Sequence, residues 1–161
     1  MTRTFPGGAV QPIHDAARAY RAEGTPLLVL GGRDYGAGSS RDWAAKGTAL
    51  LGVRAVLAES FERIHRANLV SMGVVPLRFA PDRGWRALGL TGDERFSLQG
   101  LRGSVLHGTP VTVSVERDEA TLRFEVTADI QTESERRILV DGGLLPSVMK
   151  TFGAPAPEHC A

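Results

Sequence analysis

Apolar residues recur in the first half of the chain in blocks that alternate between helical and strand spacing. Ile13, Ala16, Ala17 and Tyr20 fall at helical intervals over Ile13 to Glu23, and the run stops at Gly24. Pro26 to Leu30 is a short apolar run ending in Gly31-Gly32, the signature of a buried strand. A helix is expected from near Ser40 through Lys46, and a second buried strand over Arg54 to Ala58. Phe61 to Met72 reads as a helix with Phe61, Ile64, Leu69 and Met72 near one face, closed by Gly73. Val74 to Phe79 reads as a third strand. Strand and helix alternating through short loops predict a parallel α/β unit.

The pattern changes after Ala80. Residues 81–93 hold Pro, Gly and Trp85 and read as an irregular excursion. Phe96 to Leu98, Val111 to Glu116 and Thr121 to Val126 read as strands. The last two alternate apolar and polar positions around Arg117-Asp118-Glu119-Ala120, a hairpin signal. Asp141 to Lys150 reads as a glycine-led helix with Pro146 in its first turn. Residues 1–12 read as an entry loop. The expected organisation is one domain over 1–153 and a flexible tail over 154–161.

Composition narrows the classes. The 161 residues suffice for one core, with 42% apolar and 23% charged residues. The formal net charge of +1 offers no field to attract nucleic acid or acidic membrane. The start, Met1-Thr2-Arg3-Thr4-Phe5-Pro6, lacks an apolar leader, and no run is long enough to span a bilayer. One cysteine, Cys160, excludes an internal disulfide framework and a multi-cysteine cluster site within one copy. A reducing, cytoplasmic setting fits. His14, His107 and His159 do not cluster, so no metal site is expected.

The chemically informative stretch runs from Gly31 to Asp42: Gly-Gly-Arg-Asp-Tyr-Gly-Ala-Gly-Ser-Ser-Arg-Asp. Its four glycines stand between a predicted strand and a predicted helix. Glycine permits positive φ and close approach of a ligand to the backbone. The helix start exposes unpaired N–H groups and the positive end of the dipole, which favours an anion by about 0.3–2 kcal/mol. Arg41 adds a guanidinium fork that matches a carboxylate. Ser39 and Ser40 bring two hydroxyls. The same residues also suit a plain turn with an N-cap, or a phosphate cradle, although neither nucleotide spacing, GxGxxG or GxxxxGK[ST], is met.

Gly36 to Gly47, Gly-Ala-Gly-Ser-Ser-Arg-Asp-Trp-Ala-Ala-Lys-Gly, resembles domain 4, the C-terminal swivel domain, of aconitases and iron regulatory proteins. The likeness continues through Leu50 to Leu69 and Met72 to Leu77. It is weaker over Ile13 to Gly24, Leu88 to Gly92 and Gly142 to Leu145. The small subunit of isopropylmalate isomerase is a more distant relative. The resemblance implies a swivel-type β/β/α fold, in which a parallel α/β layer is followed by antiparallel strands forming a barrel-like sheet. It implies that Ser39 is the base that removes a proton α to a carboxylate. Gly38, Ser40 and Arg41 would contact the substrate, a small polycarboxylate, with Asp34, Tyr35 and Asp42 in support. It places a [4Fe–4S] cluster on a partner, either a large subunit or domains 1–3, and no cofactor in this chain.

One departure from the family is notable. Its swivel domains begin some tens of residues earlier, with a strand and a substrate-binding arginine that are absent here. An excised fragment, a subunit, or a stand-alone metal-free enzyme acting on another small carboxylated substrate are the resulting alternatives, with a non-catalytic binding module or RNA binder behind them. A missing front strand also leaves a sheet edge at which a second copy would pair, giving a homodimer. Asp34 and Asp42 either buttress Arg41 or cap the loop and helix. His65 is expected to be structural, and Glu133 to Arg137 a solvated charged stretch.

Overall fold

The computed structural model describes residues 1–153 except Pro6, Ser39, Ser40, Asp82 and 117–120, and leaves the Arg41 side chain undescribed. The expected tail, 154–161, lies outside the described residues. Two short strands, β1 (Thr2–Arg3) and β2 (Val10–Gln11), pair antiparallel where the sequence suggested only a loop. Helix α1 (Ile13–Ala22) follows. Then come β3 (Leu27–Gly31), α2 (Arg41–Leu50), β4 (Val53–Ala58), α3 (Arg63–Ser71) and β5 (Val75–Phe79). The second half holds β6 (Arg95–Gln99), α4 (Leu101–His107), β7 (Val111–Glu116), β8 (Thr121–Ala128), α5 (Glu133–Asp141) and α6 (Leu144–Gly153).

Six strands form one curled sheet in the order β3-β4-β5-β8-β7-β6, a half-barrel. β3, β4 and β5 run parallel, with Leu30 opposite Leu57 and Leu57 opposite Leu77. β8, β7 and β6 extend it antiparallel, with Phe79 opposite Val126 and Glu116 opposite Thr121. The expected parallel layer followed by antiparallel strands is therefore observed.

Alternation along the central strands divides the core between the two faces of the sheet. Leu57, Leu77, Phe79, Val113 and Val126 join Leu90 on one face, and Trp85 packs against that cluster. Val56, Ala58 and Val74 meet Ala45 of α2 and Leu69 of α3 on the other. β4 is buried at five of its six positions, as a central parallel strand covered on both faces should be.

Three expectations about the helices change. α3 is shorter than 61–72: Phe61 is drawn into a parallel bridge with Tyr35, and the Glu62 carboxylate caps the helix by accepting from His65 N at 2.8 Å. Its buried face is His65, Arg66, Leu69 and Val70, while Ile64 is exposed. Second, α4 was not foreseen. Third, residues 133–137 open α5: Glu133, Ser134 and Arg137 are exposed, as a solvated stretch should be, while Glu135 and Arg136 are half-buried. Thr132 caps it, accepting from Glu135 N at 3.2 Å, and Glu135 reaches inward to the buried Arg66. The Thr-x-x-Glu spacing of a capping box was the overlooked signal. Arg136 donates to Val105 O at 3.0 Å, tying α5 to the end of α4. Pro146 does lie in the first turn of α6, and a Cβ on Gly73 would strike the carbonyl of Gly142, so α3 and the α5–α6 corner are in close backbone contact.

Candidate active site

The Gly-rich loop leaves the sheet at Gly31 but stays laced to the chain that leaves β4. Gly32 O accepts from Glu59 N at 3.2 Å. Tyr35 N donates to Ser60 O at 2.9 Å, and Tyr35 O accepts from Glu62 N at 2.9 Å. Parallel pairing thus continues past the strand ends. Asp34 is the single described non-glycine residue with positive φ, at 50°. Its backbone N–H donates to Ser60 Oγ at 2.7 Å, and that hydroxyl donates to Asp34 Oδ1 at 3.1 Å. An aspartate tolerates this conformation because its short carboxylate bonds locally. Of the two roles open to Asp34, this geometry is that of capping the loop.

Ala37 N closes a turn onto Asp34 O at 3.0 Å, and Gly36 and Gly38 adopt φ of 91° and 92°. Glycine is needed at 36 twice over, since a Cβ there would fall on the His65 ring. At 38 no described atom stands within 4 Å of where a Cβ would be, so the requirement for glycine is conformational. His65, 2% exposed, is the wedge under the turn. Tyr35 lies against it with ring centroids 5.4 Å apart and meets Phe61 edge-on at 6.0 Å. Burial raises the Tyr35 phenol pKa, keeping it neutral.

The chain then enters α2, whose first turn carries Asp42, exposed. Ser39 and Ser40 lie outside the described residues, as does the Arg41 side chain. The sequence-predicted residues whose positions are described are Asp34, Tyr35, Gly38 and Asp42, together with the Arg41 backbone at the helix start. The described part of the turn, Asp34 to Gly38, lies beyond the carboxyl end of β3, the end of a parallel sheet at which α/β folds hold ligands.

A cleft of about 810 Å³ opens at the exits of β3, β4 and β5, lined among others by Arg33, Glu59, Ser60, Arg83, Gly84 and Arg86. None of Gly36 to Gly38 lines it. Arg33 pairs with Glu59 at 3.4 Å. Sequence reasoning passed over Arg33, Glu59, Ser60 and Arg86. Their signal was positional: the first polar residues after β3 and β4, and the excursion after β5.

The sequence profile of the family described as the Aconitase C-terminal domain matches residues 1–82, half of the chain. The chain belongs to this aconitase family. It is 49% identical over 156 residues to aconitate hydratase A of Corynebacterium jeikeium, covering 94% of this chain and 17% of that protein. It is 49% identical over 147 residues to aconitate hydratase A of Thermus thermophilus, covering 91% of this chain and 16% of that protein. Phosphinomethylmalate isomerase of Streptomyces viridochromogenes is 48% identical over 143 residues, covering 89% and 16%. The aconitase-family chain thus spans about a sixth of the length of these relatives. The crystal structure of 3-isopropylmalate dehydratase from Methanocaldococcus jannaschii shares the fold, with a TM-score of 0.58 at 20% identity over 89% of this chain and 80% of that one.

The family implies an iron–sulfur cluster. A single cysteine in the sequence cannot furnish a cysteine ligand set, and among the described residues no three His, Cys, Asp or Glu side chains gather as a metal group. No described helix is long and apolar enough to cross a membrane.

Proposed function

We propose that this domain is the swivel part of an aconitase-type hydro-lyase that dehydrates and rehydrates a small hydroxy-polycarboxylate. The observation that carries the reading is the turn: Gly36 and Gly38 adopt left-handed conformations, Gly36 is wedged on His65, and α2 begins at Arg41, three residues after Gly38. In sequence Ser39, Ser40 and Arg41 fall between Gly38 and the body of α2, and the start of a helix is where backbone N–H groups and the dipole favour negative charge.

In this reading Ser39, as an alkoxide, takes the proton from the carbon α to a carboxylate. The electron pair left behind delocalises into that carboxylate, which Arg41 holds through two parallel hydrogen bonds while Ser40 contacts the substrate. A serine hydroxyl is too weak a base at neutral pH unless the turn stabilises its anion. Departure of the substrate hydroxyl falls to groups outside this chain, on a large subunit or domains 1–3 that carry the cluster. A partner also fits the surface: Leu145, Met149 and Phe152 of α6 are 76%, 72% and 84% exposed on a helix with no described cover. β3 is an open edge of the sheet, at which a second copy would pair.

The test is the absorbance of the unsaturated product, with and without a cluster-bearing partner of the family. Turnover is expected only with both. Turnover by the pure chain alone contradicts the two-part reading, and none in either case with a competent partner contradicts the assignment.

A further inference from the structure

Helix α6 is turned the opposite way from a surface helix of an isolated domain. Its inward side is small and polar. Gly143, just before it, and Ser147 are buried, and a Cβ on Gly143 would stand 3.1 Å from Ser71 O of α3. Lys150 reaches back to Asp141, its Nζ donating to Oδ1 at 2.6 Å, and the Thr151 hydroxyl donates to Ser147 O at 3.2 Å. The outward side is apolar. Leu145, Val148, Met149 and Phe152 lie at i, i+3, i+4 and i+7, with Leu144 one turn before Val148, and all five are exposed. A surface helix ordinarily buries such a stripe against its own core. Here neither apolar cluster of the core includes a residue of α6.

The stripe has the size and the chemistry of a contact between two copies. At roughly 100 Å² of apolar surface per side chain, two such faces would remove about 1,000 Å² from water, the level a specific interface has to reach even before its polar rim is counted. The stripe carries no charge and no hydrogen-bonding side chain, and Lys150, the one charged residue of α6, is engaged by Asp141. Such a face is its own complement. In a two-fold dimer each residue meets an equivalent apolar surface, and no unpaired charge is buried. A lipid surface is a poorer match, because helices that lie on membranes carry lysines and arginines along the polar face, and α6 has one lysine.

Placement in the fold agrees. α6 begins beside Gly73, which leads into the amino end of β5. The Gly-rich turn leaves the carboxyl end of β3, and β3, β4 and β5 run parallel. The start of α6 and the turn therefore lie toward opposite ends of the sheet. A second copy at α6 and a cluster-bearing part at the turn do not compete for one place.

We infer that α6 forms the contact of a two-fold dimer of this chain, the stripe of Leu145, Val148, Met149 and Phe152 in one copy lying against the same stripe in the other. This contact is separate from pairing at the β3 edge, and it does not depend on the reading of the turn.

Sedimentation velocity and light scattering of the full 161-residue chain test it, with a reducing agent present so that no disulfide through Cys160 links copies. The mass is expected to approach twice 17.2 kDa as concentration rises from micromolar to near-millimolar. Leu145→Glu with Met149→Glu alters two side chains that are exposed in a single copy. This double variant is expected to weaken dimerisation at least about a hundredfold, because each copy brings two unpaired carboxylates into the contact. Circular dichroism will report that the variant keeps its helices and its fold. Phe152→Ser, which adds no charge, is expected to weaken dimerisation about tenfold, and Met149→Leu, which keeps the stripe apolar, to leave it in place. A wild-type chain that stays monomeric throughout overturns the inference and leaves the α6 face to the cluster-bearing part or to a membrane. A dimer that persists in both the double Glu variant and Phe152→Ser also overturns it, and points to the β3 edge instead.

Discussion

Glu135→Gln tests how the site is held from behind. Arg66 follows His65 on α3, and its side chain is 5% exposed. It donates to Glu135 through Nη2 at 2.7 Å and Nη1 at 3.1 Å, and Nη1 also donates to Asp129 O at 2.9 Å. Glu135 additionally accepts from Gln131 N at 2.8 Å. Removing the carboxylate charge leaves a buried guanidinium without its counter-ion, which costs about 3–5 kcal/mol when a partner is lost outright. The Gln amide keeps one acceptor, so the lower end, about 3 kcal/mol, is expected. For a domain of this size that lowers the unfolding midpoint by about 6–12 °C. Calorimetry and urea titration measure it, and the double variant with Arg66→Met should recover part of the loss. A Glu135→Gln protein melting with the wild type would refute the view that this pair locks α3 to α5. The pair also sets a pH response. Burial alone would raise the Glu135 pKa, but the Arg66 and Gln131 hydrogen bonds and the Arg66 charge outweigh it, and the net shift is downward. A depressed pKa means that the contribution is present above the ordinary glutamate range and is lost as pH falls through the folded value. The stability gap between wild type and Glu135→Gln should therefore shrink in acid.

Gly36→Ala should destabilise by about 3 kcal/mol or more, combining a strained φ with overlap on His65, and denaturant titration will show whether it does. With a competent partner, Ser39→Ala should lower kcat at least about a hundredfold with little change in the stability of the domain. An unchanged kcat would remove Ser39 as the base. Thr132→Ala should cost about 1 kcal/mol through loss of the α5 cap, read as a shift in the urea midpoint at constant slope.

Local chemistry determined much of this protein before any coordinates. Short apolar runs bounded by glycine specify β3, β4 and β5, because a strand covered on both faces must be apolar throughout. The alternating runs around 117–120 specify the β7–β8 hairpin. The Gly-Ala-Gly-Ser-Ser-Arg run announces the turn, because only glycine adopts those dihedrals cheaply, and its likeness to aconitases points to the chemistry. Tertiary structure decided what spacing cannot encode. Spacing alone does not say what His65 and Arg66 pack against; both are buried, His65 against a glycine 29 positions earlier and Arg66 against a glutamate 69 positions later. Ser60 becomes the tie of the loop only because parallel pairing carries two chain exits forward side by side. Arg33 and Arg86 share a wall only because the parallel strands β3 and β5 send the chain out at the same end of the sheet. Polar partners far apart in sequence leave no periodic trace, since their pairing depends on the course of the backbone between them rather than on either neighbourhood.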